Sequence, residues 1–420
     1  MTRWIDRLRD RFPSTWPPVI GVVGSNGKGS TAAMVHSILS QVLHNVGRYT
    51  SPHFFDFRER IRVGSADVTD SELGLALDWL DRQMKSAADD KDSDPTTAFE
   101  CFTVLALFVF LHAQVDTIVA EAGMGGRLDP TGCLHPAAVA FSSVDLEHTE
   151  VLGVTLEQIA LEKAAIAHPG ATLWLGAMPK DIVDVVRSFC AFSQVIVRQA
   201  PFCDKPVLGD SGQKMDIVVG DRMLPGVFVP LLGSFQAQNA SLAANVAVDV
   251  LQRLWQVSET RCVDAVYRGL AATSWPGRMQ LVCQTPPVVV DVGHSPDAVS
   301  QAALGVVELA HKRPIHVVLG VSANKPFAQI VAAVVPAAHS FYCTRARHRG
   351  AAEDLILQTV REMSPQKPAV SFPSVAAALE HAIYAAINDN GIVWVAGGFF
   401  LAAEATAVLR GVELDMELFY

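Results

Sequence analysis

The chain has 420 residues, half of them hydrophobic, which is core enough for two or three domains. Its 33 basic and 43 acidic side chains leave a net charge of −10 with no basic stripe, which argues against a nucleic-acid partner. No apolar run reaches the roughly 18 residues of a membrane helix, and the seven cysteines lack C-x-x-C spacing, so free thiols in a reducing, cytoplasmic setting are expected.

The start, Met1 to Arg7, alternates charge with bulk and has no signal-peptide core; Pro13, Pro17 and Pro18 then stop the first amphipathic segment. Val19 to Val23 reads as a buried strand. Gly24-Ser25-Asn26-Gly27-Lys28-Gly29-Ser30-Thr31 follows, and Val35, Ile38, Leu39 and Val42 then recur at helical spacing. A strand, a glycine turn with one lysine and a helix make a phosphate cradle. Backbone N–H groups and the helix N-terminus face the oxygens, and Lys28 adds a full charge. The usual nucleotide-binding spacing is not met, since Val22 stands at the first glycine position and Gly29 follows the lysine.

Gly47 to His53 reads as a short strand ending in a polar loop, residues 85–95 as a solvated connection, and Thr97-Ala98-Phe99-Glu100 as the opening of an apolar helix running to about His112. Asp116 to Glu121 is an apolar strand tipped by a carboxylate, ahead of Ala122-Gly123-Met124-Gly125-Gly126-Arg127-Leu128-Asp129-Pro130. Ligands of nucleotide-binding α/β domains gather at the carboxyl ends of parallel strands, so Glu121 either holds Mg²⁺ there or serves as a capping or surface acid. The strand Ala138 to Val144 ends at Asp145-Leu146-Glu147-His148-Thr149, where His148 is read as a metal or phosphate contact over a structural histidine.

Thr155 to Gln158 is a capping box, and the apolar stripe of its helix (Leu156, Ile159, Ala160, Ala167) includes Lys163. A buried ammonium must be offset: the side chain snorkels, pairs with an acid, or is chemically altered to lose its positive charge. A helix with amide side chains at its start opens near Leu231, and Ser274 to Arg278 reads as a hinge. Strands at 288–291, 316–320 and 392–398 then alternate with helices as a second, smaller parallel α/β domain.

Seven motifs in order resemble the folylpolyglutamate synthase/dihydrofolate synthase family of the Mur ligase superfamily. They are Thr50 to His53, Glu59 to Arg62, Glu121 to Asp129, His148-Thr149, Glu162 to Ala164, Trp275 to Arg278 and Asp291 to Pro296, beside the phosphate loop itself. The resemblance implies a P-loop-type ATPase domain with a central, mostly parallel sheet over residues 1–275, and a smaller Rossmann-like ligase domain over residues 276–420. It implies an ATP- and Mg²⁺-dependent ligase that activates a folate- or pteroate-type carboxylate as an acyl phosphate and joins it to L-glutamate.

By the same resemblance, Asn26, Gly27, Lys28, Gly29 and Ser30 hold phosphates, with Lys28 also catalytic. Ser51, Glu121 and His148 bind metal, and Lys163 is carboxylated to an anion beside it. Asn239, Arg278 and Asp291 grip the nucleotide, and His294 lies near the acyl phosphate or the amine. Thr97, Ala98, Phe99, Glu100, Leu128, Asp129 and Pro130 face the carboxylate substrate. A monomer without nucleic-acid or membrane partners is the family default. Departures lie on the substrate side: 23 residues precede Gly24 where bifunctional members carry a longer, pterin-binding segment. Gly293 and Ser295 flank His294 in place of Ala and Asn, and an acidic pair is missing around Asn324 to Pro326. The alternatives are the same chemistry on a non-folate carboxylate, or a non-catalytic nucleotide-binding regulator; the shared presence of Lys28, Ser51, Glu121, His148 and Lys163 weighs against the latter.

Overall fold

The computed structural model describes residues 1–14, 16–87, 96–203, 206–209, 211–412 and 414. The solvated connection expected at 85–95 lies outside them from residue 88 onward, and residues 85–87 end the helix Asp70–Ala87. Valine and isoleucine dominate the central strands, as sheets covered on both faces require. Val19–Val23 is buried along its whole length, as are Thr117–Glu121 and Ala138–Phe141.

These strands lie in an eight-stranded sheet. Its spatial order runs Ala66–Asp67, Ile61–Val63, Val46–Tyr49, Thr117–Glu121, Val19–Val23, Ala138–Phe141, Thr172–Leu175, Ile196–Gln199. All pairings are parallel from Val46–Tyr49 onward, and the two short strands on the other edge are antiparallel. Val19–Val23 sits between strands that follow it much later in the chain. The chain therefore reverses its direction of winding there, and a crevice opens at the carboxyl ends.

Helix Lys28–Leu39 packs against Phe235–Trp255 and Glu259–Ala271, closely enough that a Cβ on Gly269 would lie 2.4 Å from Ile38 Cα. Val42 falls beyond this helix, one turn earlier than its spacing suggests. A second, six-stranded sheet holds Gln280–Gln284, Pro287–Val290, Ile392–Ala396, Ile315–Leu319, Ser340–Cys343 and Ala369–Ser371. It is parallel except at its first hairpin. Three of these strands are expected from the sequence; the others are short or half-exposed and carry little apolar signal. A three-stranded antiparallel sheet over Val207–Gly209, Gly212–Val219 and Arg222–Val229 was not expected. Among the described residues, no helix is long and apolar enough to cross a membrane, and all seven cysteines are free.

Candidate active site

The phosphate loop is fixed from the neighbouring strand end. Ser143 Oγ accepts from Asn26 N at 2.9 Å, while Ser142 Oγ and Ser143 Oγ donate to Asn26 O at 2.6 and 3.0 Å. Gly27 caps helix Lys28–Leu39 at φ 82°, a conformation glycine adopts without penalty, and a Cβ there would lie 2.5 Å from Asn239 Oδ1. Lys28 curls back, its Nζ donating to Gly24 O at 2.7 Å and Ser25 O at 3.2 Å. A chain of side chains then crosses to the long helix: Asn239 Nδ2 donates to Gln236 Oε1 at 3.0 Å, and Gln236 Nε2 to Ser30 Oγ at 3.2 Å.

A cavity of about 570 Å³ opens beside this loop, and Asn26, Gly27, Ser30, Asn239, Arg278 and Asp291 all line it. Six of the sequence-expected nucleotide contacts, drawn from both sheets' surroundings, thus share one cleft. A larger hollow of about 690 Å³ between Trp174 and Cys262 shares none of these six.

Glu121 ends its strand with a buried carboxylate that accepts from Ser51 N at 3.1 Å. Burial pushes its pKa up, while Lys28, Ser51 and Arg278 pull it down. The Ser51 side and the Glu121 carboxylate offer hard oxygen donors next to the phosphate loop, a set that suits one Mg²⁺ completed by phosphate oxygens and water. His148 does not join them in a ready-made cluster. It is an exposed residue at φ 45°, 3.8 Å from Glu150, and among the described residues no group of three or more His, Cys, Asp or Glu is poised to hold a metal ion.

Lys163 resolves one of the three options left open for it: it does not snorkel. Its side chain is buried, with Nζ donating to Glu147 Oε1 at 2.7 Å and Gly24 O at 3.1 Å. Burial and the neighbouring Lys28 bring its pKa down to about 8. Burial raises the Glu147 carboxyl, but Lys28 and Lys163 outweigh it and hold the carboxyl below its ordinary value. Sequence reasoning gave Glu147 no role, although a buried lysine that needs an anion and an acid at the adjacent strand end were both in view. Gly126 lets its loop touch the helix carrying Lys163, where a Cβ would lie 2.5 Å from Lys163 O and 2.9 Å from Glu162 O. Gly126→Ala is expected to cost about 1–3 kcal/mol by overpacking. It should also lower activity more than nucleotide affinity, checked by denaturant midpoint and by ligand titration.

Several residues expected to contact ligands are committed elsewhere. Glu100 and Thr97 form a capping box, and Glu100 Oε1 accepts from the Met1 amine at 2.6 Å. Asp129 takes up the N–H groups of Gly123, Met124 and Thr131. An acid beside a glycine loop looks the same in sequence whether it serves backbone or ligand. Phe99 packs on Gly123, in the loop that leads into the second expected substrate stretch, where Leu128 projects outward at 79% exposure; Ala98 is exposed and Pro130 is half-buried. Asp291, though it lines the cleft, accepts from Met279 N at 3.0 Å and Gly293 N at 2.7 Å, and burial raises its pKa. His294 is exposed, but the surrounding protein and then Lys325 disfavour its imidazolium and bring its pKa to about 4.

A family model described as the Mur ligase glutamate ligase domain matches residues 277–399. The chain is 35% identical over 393 residues to a probable bifunctional folylpolyglutamate synthase/dihydropteroate synthase of Haloferax volcanii, covering 92% of this chain and 45% of that protein. It therefore spans about half the length of that relative. It is 30% identical over 396 residues to the dihydrofolate synthase/folylpolyglutamate synthase of Escherichia coli, covering 94% of this chain and 87% of that one. The structure of Escherichia coli FolC in complex with DHPP and ADP superposes with a TM-score of 0.79 at 27% identity, covering 97% and 92% of the two chains. With these relatives and this geometry together, the chain belongs to the folylpolyglutamate synthase/dihydrofolate synthase family of Mur ligases.

Proposed function

We propose that the protein is an ATP-dependent carboxylate–amine ligase that adds L-glutamate to a folate- or pteroate-type carboxylate. The reading rests above all on the convergence of the phosphate loop, the Ser51–Glu121 pair and buried Lys163 at the carboxyl ends of the central strands. Nucleotide binds the 570 Å³ cleft, with adenosine toward Asn239 and phosphates over Asn26 to Ser30. A carboxylate oxygen of the acceptor attacks the γ-phosphorus and ADP leaves. The glutamate amine then attacks the acyl carbon, and phosphate departs with the carbon–oxygen electron pair.

Lys28 swings from its loop carbonyls to the transferring phosphoryl group, whose charge the reaction must balance. Mg²⁺ would supply charge neutralisation when bound; Ser51 and Glu121 would hold one ion and His148 a second, with carboxylated Lys163 as an anion beside it. Arg278 and Asp291 bring the second sheet onto the nucleotide, while His294, kept neutral, faces the incoming amine. The exposed apolar faces of Leu128 and Met124, backed by Phe99, carry the acceptor's aromatic part. The chain divides at residues 275/276 into two units that close to exclude water from the acyl phosphate. It works as a cytoplasmic monomer without nucleic-acid or membrane partners.

Phosphate release from MgATP with glutamate and a panel of acceptors tests the reading. Turnover with dihydropteroate or tetrahydrofolate is expected. Turnover only with other carboxylates would move the substrate, and nucleotide binding without turnover on any acceptor would overturn the ligase reading.

A further inference from the structure

A further cavity, about 270 Å³, adjoins the reacting centre and shares Arg278 with the adenosine cleft. Ser51, Glu121 and Arg278 of the reacting centre line it, as do Arg48, Arg62, Trp275 and Arg410. Arg48 is the unusual member. It stands on the strand Val46–Tyr49, only 5% exposed, and among the described residues its Nε has no hydrogen-bond acceptor. Its guanidinium carbon sits 4.9 Å from the centroid of the Trp275 ring.

Trp275 in turn packs against the phosphate-loop helix, since a Cβ on Gly29 would lie 2.6 Å from its ring. Three carboxylates share this wall, Glu59, Asp67 and Glu121, of which Glu121 accepts from Ser51 N. Glu59 accepts from the N–H groups of Phe54, Phe55 and Asp56, and Asp67 faces Arg62 at 3.2 Å. Burial lowers the Arg48 pKa to about 10, which still leaves it a cation at neutral pH. Arg410 lies at the exposed rim, 5.8 Å from the Phe55 ring. A buried guanidinium with an unused donor is costly unless an anion completes it.

We propose that this cavity is an oxyanion site that receives the phosphate released by the ligase reaction, with Arg48 as its main ligand and Arg410 at its mouth. The inference rests on the ligase reading. Amide formation is R–CO–O–PO₃²⁻ + R′–NH₂ → R–CO–NH–R′ + HPO₄²⁻, the amine proton ending on the phosphate. While ADP fills the adenosine cleft, a phosphate at the Ser51–Glu121 edge has this cavity as its neighbouring polar volume. Arg48 draws it across, and Trp275 couples its presence to the phosphate loop.

The test uses the full chain with MgADP bound and inorganic phosphate as the probe, followed by equilibrium dialysis, so it reads the site whether or not a ligase substrate is known. Arg48→Gln is expected to weaken phosphate binding tenfold or more with ADP affinity unchanged, and Arg410→Ala two- to threefold. Under turnover, Arg48→Gln should relieve product inhibition by phosphate to the same degree. Phosphate affinity unchanged in Arg48→Gln would overturn the site. So would an equal loss of ADP affinity, which would make Arg48 a support of the loop. A rise in the glutamate KM with phosphate binding intact would assign the pocket to the amino acid's carboxylate instead. If Arg48→Gln binds no ADP because it fails to fold, Arg48→Lys decides: it keeps the charge but lacks the planar fork, and should lose phosphate affinity alone.

Discussion

Lys163→Ala is expected to lower turnover by about 10³-fold, the scale on which a preorganised charge at a phosphoryl-transfer centre acts. The argument starts from position. The amine is buried, 2.7 Å from Glu147 and 3.1 Å from a carbonyl of the phosphate loop, with Lys28 as a charged neighbour. With its pKa lowered to about 8, far more of the amine is neutral near pH 7.5 than in an ordinary lysine. A neutral amine adds CO₂ to give R–NH–COO⁻ and a proton, and the side chain becomes an anion fit for a hard cation. Enzyme depleted of CO₂ should therefore regain activity when re-equilibrated at a fixed dissolved CO₂ concentration, faster as pH rises toward about 8 and level above it. In Lys163→Ala, short carboxylates such as acetate should restore part of the rate by entering the vacated space. Full activity in the alanine variant would remove the carboxylated lysine from the mechanism.

Glu121→Gln is expected to separate function from stability. Turnover should fall by about 10²–10³-fold and Mg²⁺ dependence should shift to higher concentration, because the amide keeps the shape and the Ser51 contact but loses the charge. The unfolding midpoint of the metal-free protein should hold or rise, since burying the carboxylate costs desolvation energy that glutamine does not incur. The sign with pH is fixed by the raised pKa of Glu121. The folded state binds a proton more readily than the unfolded one, so this group's contribution is fully present below the unfolded pKa and is lost as pH rises through the folded pKa. That slope should vanish in Glu121→Gln. A variant that loses stability in step with activity would make Glu121 structural.

The parts of this molecule legible in the sequence are those with a strong local signature. The run Val19 to Val23 before the glycine turn could only be a covered strand, and the stripe around Lys163 placed a charge where water does not reach. Short strands such as Ala369–Ser371 and the antiparallel sheet around Gly212–Val219 carry weak alternation, so tertiary contacts decide them. Partnership was the least legible property. Arg48 shows nothing in sequence to mark it as buried on Trp275. Glu100, Asp129 and Asp291 are expected to face ligands by the family resemblance alone. The fold instead gives their oxygens to backbone N–H groups and, for Glu100, to the chain's own amine.

The central claim is that a carboxylate becomes reactive by taking the terminal phosphoryl group of ATP at the carboxyl ends of these strands. An acceptor labelled with ¹⁸O in its carboxylate reads this directly, by mass spectrometry of the released phosphate. One labelled oxygen should pass to phosphate for each amide bond formed, with ADP as the co-product. Unlabelled phosphate, or AMP and pyrophosphate in place of ADP, would contradict it.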